Sequence, residues 1–220
     1  YELGRQNLEV ATAPTLPGRL ADKYCTVLNE LYSAGVIAKV LPVFEPLFET
    51  KENLLMIADD RDGEWAVIDG FDALSQFASI SSVHCPLGVS PRNAIRALNN
   101  LGSAAGHFLK DYPQDAIWKK YIRESEAKYE QSRYGGPLIF TGLDHYCREL
   151  TVHGVVQNTR LVPYASLETI DIPLYLRSIW WHFRLRRYTD RLCIEVRPLP
   201  RRSDQHIARQ FQQVMDIIDL

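Results

Sequence analysis

The sequence predicts an α+β fold, a largely antiparallel curved sheet with helices packed on one face and the other face free to form a concave site. Three observations lead there. Segments that alternate like strands and segments with a helical apolar period are mixed, without the regular strand–helix alternation of a parallel sheet. The 220 residues are 46% apolar and 24% charged, the balance of a chain that buries a core. The strand patterns around Glu9 and Glu195 each carry apolar residues on one face and charge on the other. We read residues 1–220 as a single domain.

Taken in order, Asn7 to Thr12 alternates polar and apolar residues as a half-buried strand does, and Ala13-Pro14-Thr15-Leu16-Pro17-Gly18 ends it. Residues 19–36 place Leu20, Tyr24, Val27, Leu28 and Leu31 on one helical face, with Gly35 near the end. Strand patterns follow at 38–44, 54–58 and 64–68, the last two joined by a hairpin loop, Asp59-Asp60-Arg61-Asp62-Gly63. Another strand spans 77–85. Ser90 and Pro91 suit the unpaired amides of a helix start, and that helix runs through Ile95, Leu98 and Leu101 towards Leu109. A charged helix covers 114–132, and Gly135-Gly136-Pro137 breaks the chain. A short helix near 143–150, a hairpin from Val152 to Val162, and strands over 173–187 and 191–197 come next. Ser203-Asp204 caps a final helix with Ile207, Phe211, Val214 and Ile218 on one side.

Composition excludes some partners. A net charge of -2 does not predict a nucleic-acid surface, and no apolar run reaches the roughly 18 to 20 residues that span a bilayer. The chain opens at Tyr1 inside a patterned segment, with no basic-then-apolar leader, so we expect further residues upstream. Cys25, Cys85, Cys147 and Cys193 lie far apart beside apolar neighbours, which reads as buried free thiols in a reducing cytoplasm. Gly135-Gly136 lacks the following Lys-Ser/Thr of a phosphate-binding loop.

The chemistry sits on strands. Alternation puts Cys193, Glu195 and Arg197 on one face, and Leu192, Ile194 and Val196 on the other. Glu9 likewise opposes Leu8 and Val10. Two glutamates on rigid strands suit magnesium, which takes carboxylate oxygens together with phosphates and waters; charged residues on a solvated strand face fit the pattern equally. His84 faces away from Val83 and Cys85. It is either a hydrogen-bonded structural histidine or a neutral ligand, and the latter would favour manganese or zinc. Within the arginine-rich stretch from Arg177 to Arg202, Arg184 and Arg197 are candidates for a carboxylate or phosphate, whose geometry the guanidinium fork matches. A solvated basic edge paired with acids such as Asp190 is the alternative for each.

Four of these segments carry a resemblance. Leu8-Glu9-Val10-Ala11-Thr12-Ala13-Pro14 resembles the "LEhhTP" strand of glutamate–cysteine ligases, Ser82-Val83-His84 is similar to their "GVH" strand, Trp180-Trp181-His182-Phe183-Arg184 to the "WWxxR" segment of the bacterial carboxylate–amine ligase branch, and Ile194-Glu195-Val196-Arg197 to the "IEVR" strand. The order matches from one end of the chain to the other. The resemblance implies a glutamine-synthetase-like sheet, with Glu9, Glu195, His84 and Glu2 as metal ligands. It implies Arg197 and Arg184 at the transferring phosphoryl group or the substrate carboxylate, and Thr12 at the substrate. ATP and Mg2+ (or Mn2+) would be the cofactors, amino acids the small-molecule substrates, and a homo-oligomer remains compatible. The family's opening "GxExE" strand would fall before Tyr1. Between Leu101 and Pro173 no family motif is placed, and the interval from Arg184 to Glu195 is longer than the family's.

The implied reaction phosphorylates a carboxylate with ATP and lets an amine displace phosphate, as in γ-glutamyl amide formation for glutathione biosynthesis. Glu195→Ala is then expected to remove turnover and leave the fold intact. The alternatives are a non-catalytic relative that binds nucleotide or amino acid, and a nucleic-acid module built on the arginines, which the net charge opposes.

Overall fold

The computed structural model describes residues 9–38, 69–70, 76, 80–188, 190–200 and 204–219. Within them the fold is α+β, with an antiparallel three-stranded sheet at its centre. That sheet has the order β1 (Ser82–Gly88), β7 (Arg191–Pro200), β6 (Phe183–Tyr188). Between β1 and β7 the register runs from Gly88 opposite Cys193 to Ser82 opposite Pro200, and shifts between Val83 and Cys85. Two residues of β1 there span three of β7, a bulge that sets His84 against Arg197 and Pro198. Two further strand pairs flank the sheet. They are β2 (Tyr134–Gly135) parallel to β5 (Trp180–Trp181), and the hairpin β3 (Val155–Gln157) with β4 (Arg160–Val162). The hairpin turns through Asn158 and Thr159, both at positive φ, the geometry a two-residue turn requires.

Alternation sends Ile194 and Val196 of β7, Phe183 of β6 and Cys85 of β1 to one face, where all are buried. Three helices build the layer on that face: α1 (Leu20–Ala38), α2 (Ala94–Ser103) and α7 (Asp204–Asp219). In α2 the residues Ala94, Ala97, Leu98 and Leu101 recur at helical spacing and are buried. In α7 the same holds for Ile207, Phe211 and Val214, each worth about 1.5–3 kcal/mol on full burial. Further helices among the described residues are α3 (Ala105–Leu109), α4 (Gln114–Glu124), α5 (Leu143–Thr151) and α6 (Ile172–Arg177). A second core joins α4 to β2 and β5: Trp118 stacks on Tyr134 and meets Trp180, and Tyr121 meets Trp180 edge-on.

Several expectations are corrected. Glu9 to Leu16 form no strand; they are exposed and lead into a single 3-10 turn at Pro17–Arg19. Apolar alternation specifies a strand only where a neighbour covers one face, and here Val10 is exposed. The helix expected from Ser90 starts at Ala94, after a turn closed by the Asn93 amide on the Ser90 carbonyl at 3.0 Å, and it is interrupted at Ala104. The charged helix expected over 114–132 stops at Glu124. Ser125 leaves the helical region and its hydroxyl donates to the buried Asp69 carboxylate at 2.8 Å. Residues 173–187 are not one strand. Pro173 lies in the first turn of α6, where its missing amide costs little, and Tyr175 is anchored by its hydroxyl to the carbonyls of Leu150 and His153. Of the cysteines, Cys85 and Cys193 are buried, Cys25 partly so, and Cys147 is exposed; none of the four is in a disulfide. Of the strand expected over 38–44, Ala38 instead ends α1, and residues 39–44, the expected strands at 54–58 and 64–68, the hairpin loop between those two, Ser203 and the start of the strand at 77–85 lie outside the described residues.

Arg133 is wholly buried and clasps two segments, donating to the carbonyl of Gly154 and to the carbonyl of Ser178 at 2.9 Å, with Tyr129 beneath it. Gly136, at φ +70, carries the chain against the Trp181 ring, where a Cβ would come within 2.4 Å. Gly102 in α2 is as tightly placed: a Cβ there would lie 1.7 Å from the Leu138 carbonyl oxygen. Helix propensity alone makes Gly102→Ala stabilising by about 1 kcal/mol. Because the clash is with backbone, we expect the opposite sign, a net loss of about 1–3 kcal/mol in urea unfolding.

Candidate functional site

The central strand β7 places Glu195 on the sheet face opposite the main core. β6 runs beside it in a register that sets Arg184 directly across from Glu195 and Arg186 across from Cys193. Paired residues share a face, so Arg184, Arg186 and Tyr188 gather around one carboxylate. Arg184 Nε donates to Glu195 Oε2 at 2.5 Å, and Arg197 Nη1 donates to the same oxygen at 3.1 Å. Arg186 Nη1 donates to Oε1 at 3.3 Å and the Tyr188 hydroxyl donates to it at 2.7 Å. Arg186 also lies over the Tyr188 ring, 5.0 Å from its centroid.

The face expected to be open at Glu195 is closed: the residue is 1% exposed. Burial pushes its carboxyl up, but its surroundings, Arg197 and Arg184 foremost and the Tyr188 hydroxyl among them, hold it well below the usual carboxylate range. Burial, then Arg197, lowers Arg184 to about 10, offset in part by Glu195, so it stays charged at neutral pH. Burial and then Glu195 raise the Tyr188 phenol to about 12, keeping it a donor.

Arg184 is turned inward. Besides Glu195 it donates to the carbonyls of Leu176 and Ile179, and it is 2% exposed. Arg197 and Arg186 reach solvent, with side chains 13% and 28% exposed. His84, on the neighbouring strand, is exposed. Desolvation and then the Arg197 guanidinium lower its pKa below the ordinary imidazole value, with Glu195 opposing, and Ser82 Oγ lies 3.2 Å from its Nε2. A narrow concavity runs from His84 and Arg197 between Tyr112, Tyr134 and His182, bounded by the Trp118 and Trp180 rings. His182 is buried, and burial lowers it to about 4 against a smaller opposing pull from Asp115.

The structure thus brings His84, Arg184, Glu195 and Arg197 together. Glu9 and Thr12 are exposed and lie outside any strand, and the hydrogen bonds to Glu195 among the described residues come from β6 and β7. Glu2 lies outside the described residues. The sequence reading passed over Arg186 and Tyr188. The signal for both was present, since a period of two from Arg184 carries them to its face. The aromatic wall from Tyr112, Trp118 and Tyr134 had no local signal, because distant segments assemble it.

A divalent ion does not fit Glu195 as placed. Four donors occupy the four lone-pair directions of its carboxylate, and three guanidinium groups leave the cluster with positive charge in excess. Among the described residues no group of three His, Cys, Asp or Glu side chains could hold a metal ion. Nor is any helix of the described residues long and apolar enough to cross a membrane. Comparison with protein-family models, characterised proteins and solved structures gave no match.

The expectation that Glu195→Ala spares the fold is replaced. Removing one partner of a buried ion pair leaves the others uncompensated, a loss of about 3–5 kcal/mol, which chemical denaturation will measure. The pH dependence follows from the lowered carboxyl. Its stabilisation is complete above the unfolded value of about 4.3 and is lost as pH falls towards the lower folded value. Urea midpoints followed downward from about pH 5 should fall in the wild type and fall less in Glu195→Gln.

Proposed function

We propose that this chain is an ATP-dependent carboxylate–amine ligase of the glutamate–cysteine ligase type, with a glutamine-synthetase-like sheet. One observation carries the reading. Three segments that resemble the family's motifs, separated by up to about a hundred residues, lie on adjacent strands and turn His84, Arg184, Glu195 and Arg197 to one face.

The substrate carboxylate attacks the γ-phosphorus of ATP, ADP departs, and an acyl phosphate forms. The amine then attacks the acyl carbon, loses a proton, and inorganic phosphate leaves. Negative charge grows on phosphoryl oxygens in the first step and on the departing phosphate in the second. Arg197, with free surface beside Glu195, is placed to bind that charge; Arg184 fixes Glu195 from behind. No covalent protein nucleophile is needed. Glutamate is the carboxylate substrate of this reading, and cysteine or another small amine the acceptor. The magnesium that accompanies ATP is not assigned to Glu195.

The exposed position of Glu9 and the saturated carboxylate of Glu195 favour a second reading, a relative that binds nucleotide or amino acid without turnover. Phosphate release from Mg–ATP with glutamate and a panel of amines, cysteine included, separates the two. Amine-dependent release supports the ligase; calorimetric binding without release selects the second reading. For an active enzyme, Arg197→Lys should lower kcat/KM about 10- to 100-fold, since a point charge does not replace the guanidinium fork. Unchanged kinetics would remove Arg197 from the site.

A further inference from the structure

His153 takes no part in the cluster around Glu195. It joins α5 to the β3–β4 hairpin, and it is fully buried, with neither ring nitrogen hydrogen-bonded to a described residue. A buried imidazole ordinarily spends its N–H on a carbonyl or a carboxylate. Here Glu130 Oε2 stands 3.6 Å from Nδ1, and 3.8 Å from Arg133 Nη2. The Glu130 side chain is half-exposed, so water screens its pull. The ring lies edge-on to Trp181, with centroids 6.0 Å apart. The backbone is held at the same point: the Tyr175 hydroxyl donates to the His153 carbonyl at 3.0 Å, and Arg133 donates to the carbonyl of Gly154.

We propose that His153 is an acid-released pin of the β3–β4 hairpin: uncharged, its ring packs beside the Arg133 guanidinium and the hairpin stays docked; protonated, it repels that guanidinium and the hairpin leaves. The charged groups around the ring set the sign. Arg133, at the end of the 3-10 turn Gln131–Arg133, is wholly buried, and its own Nε has no hydrogen-bond partner. That guanidinium already lacks solvation, and a second positive charge beside it has nowhere to go but out. Glu130 and, on α5, Glu149 favour the charged ring, but both reach water. Tyr175 of α6 stays a neutral phenol, because burial raises it. Desolvation first, and then Arg133, lower the imidazole to about 4, with Glu130 and Glu149 opposing. Opening returns the ring to water and to its ordinary value of about 6.5. The open form therefore takes up a proton more readily than the closed one. Below about 6.5 the opening equilibrium rises close to tenfold for each pH unit, until the closed form is protonated too at about 4. The device acts through burial and charge alone, so it stands whether or not the chain turns over ATP.

Two measurements on the full chain test it. Nuclear magnetic resonance of histidine-labelled protein gives the titration of the His153 ring. Thermolysin cleavage within residues 155–162 gives the population of open hairpin. Taking the ratio of wild type to His153→Phe at each pH cancels the protease's own pH response. It also cancels the contribution of His182, which burial lowers as well and which both proteins retain. The ring should titrate well below its ordinary value, and the cleavage ratio should rise about 30-fold between about pH 7.5 and about pH 5. A ring that titrates at or above about 6.5, as it would if Glu130 closed onto a charged imidazole, overturns the proposal. A cleavage ratio that stays flat over the same range overturns it too. If His153→Phe does not fold, His153→Gln takes its place in the ratio, and the wild-type titration decides by itself.

Discussion

An ionised carboxylate with almost no contact with water must be surrounded by donors, or it protonates or drives the structure apart. Glu195 meets that demand with Arg184, Arg186, Arg197 and Tyr188, and the demand fixes more than one side chain. Arg184 must lie across from it, which sets the β6–β7 register, since a slip by one residue would turn Arg184 to the apolar face. The same guanidinium reaches the carbonyls of Leu176 and Ile179, so the end of α6 and the entry into β5 are fixed by the same charge. The polar side of the sheet is as tightly specified as the apolar side.

The two sides also differ in what they can tolerate. Beneath the sheet, Ile194, Val196, Phe183 and the inward residues of α2 and α7 interlock through dispersion and exclusion of water, where volume matters most. Above it, placement is by directional bonds, and losing one partner exposes the rest of the network to uncompensated charge. The aromatic cluster of Trp118, Tyr121, Tyr134 and Trp180 stands between these regimes. Its rings exclude water next to Arg197, which strengthens every electrostatic contact that guanidinium makes.

How much of this was legible beforehand follows from which interactions are local. Helices α1 and α7 were readable because their apolar spacing is set within each segment, and Ile207, Phe211 and Val214 fall inward as the period requires. The face of β7 that carries Glu195 was readable for the same reason. What the pattern could not convey was whether anything covers that face. Glu9 sits in an equally alternating segment yet is exposed, and Glu195 is buried, because coverage comes from β6 and its arginines and not from the strand's own residues. The stop of α4 at Glu124 was hidden likewise, since it depends on Ser125 reaching Asp69 far along the chain. Residues 172–177 were misassigned because Leu and Tyr near a proline suit either a strand or a helix until Tyr175 finds its carbonyls.

Arg133 has a consequence for how the molecule comes apart. Its guanidinium holds the carbonyl of Gly154, at the mouth of the β3–β4 hairpin, and that of Ser178, just after α6. Neither segment can swing outward without stranding a buried positive charge beside the other. Hairpin and helix are thereby joined into one cooperative opening unit, and the slow-exchanging amides of the two should trade their hydrogens for deuterium at a common rate.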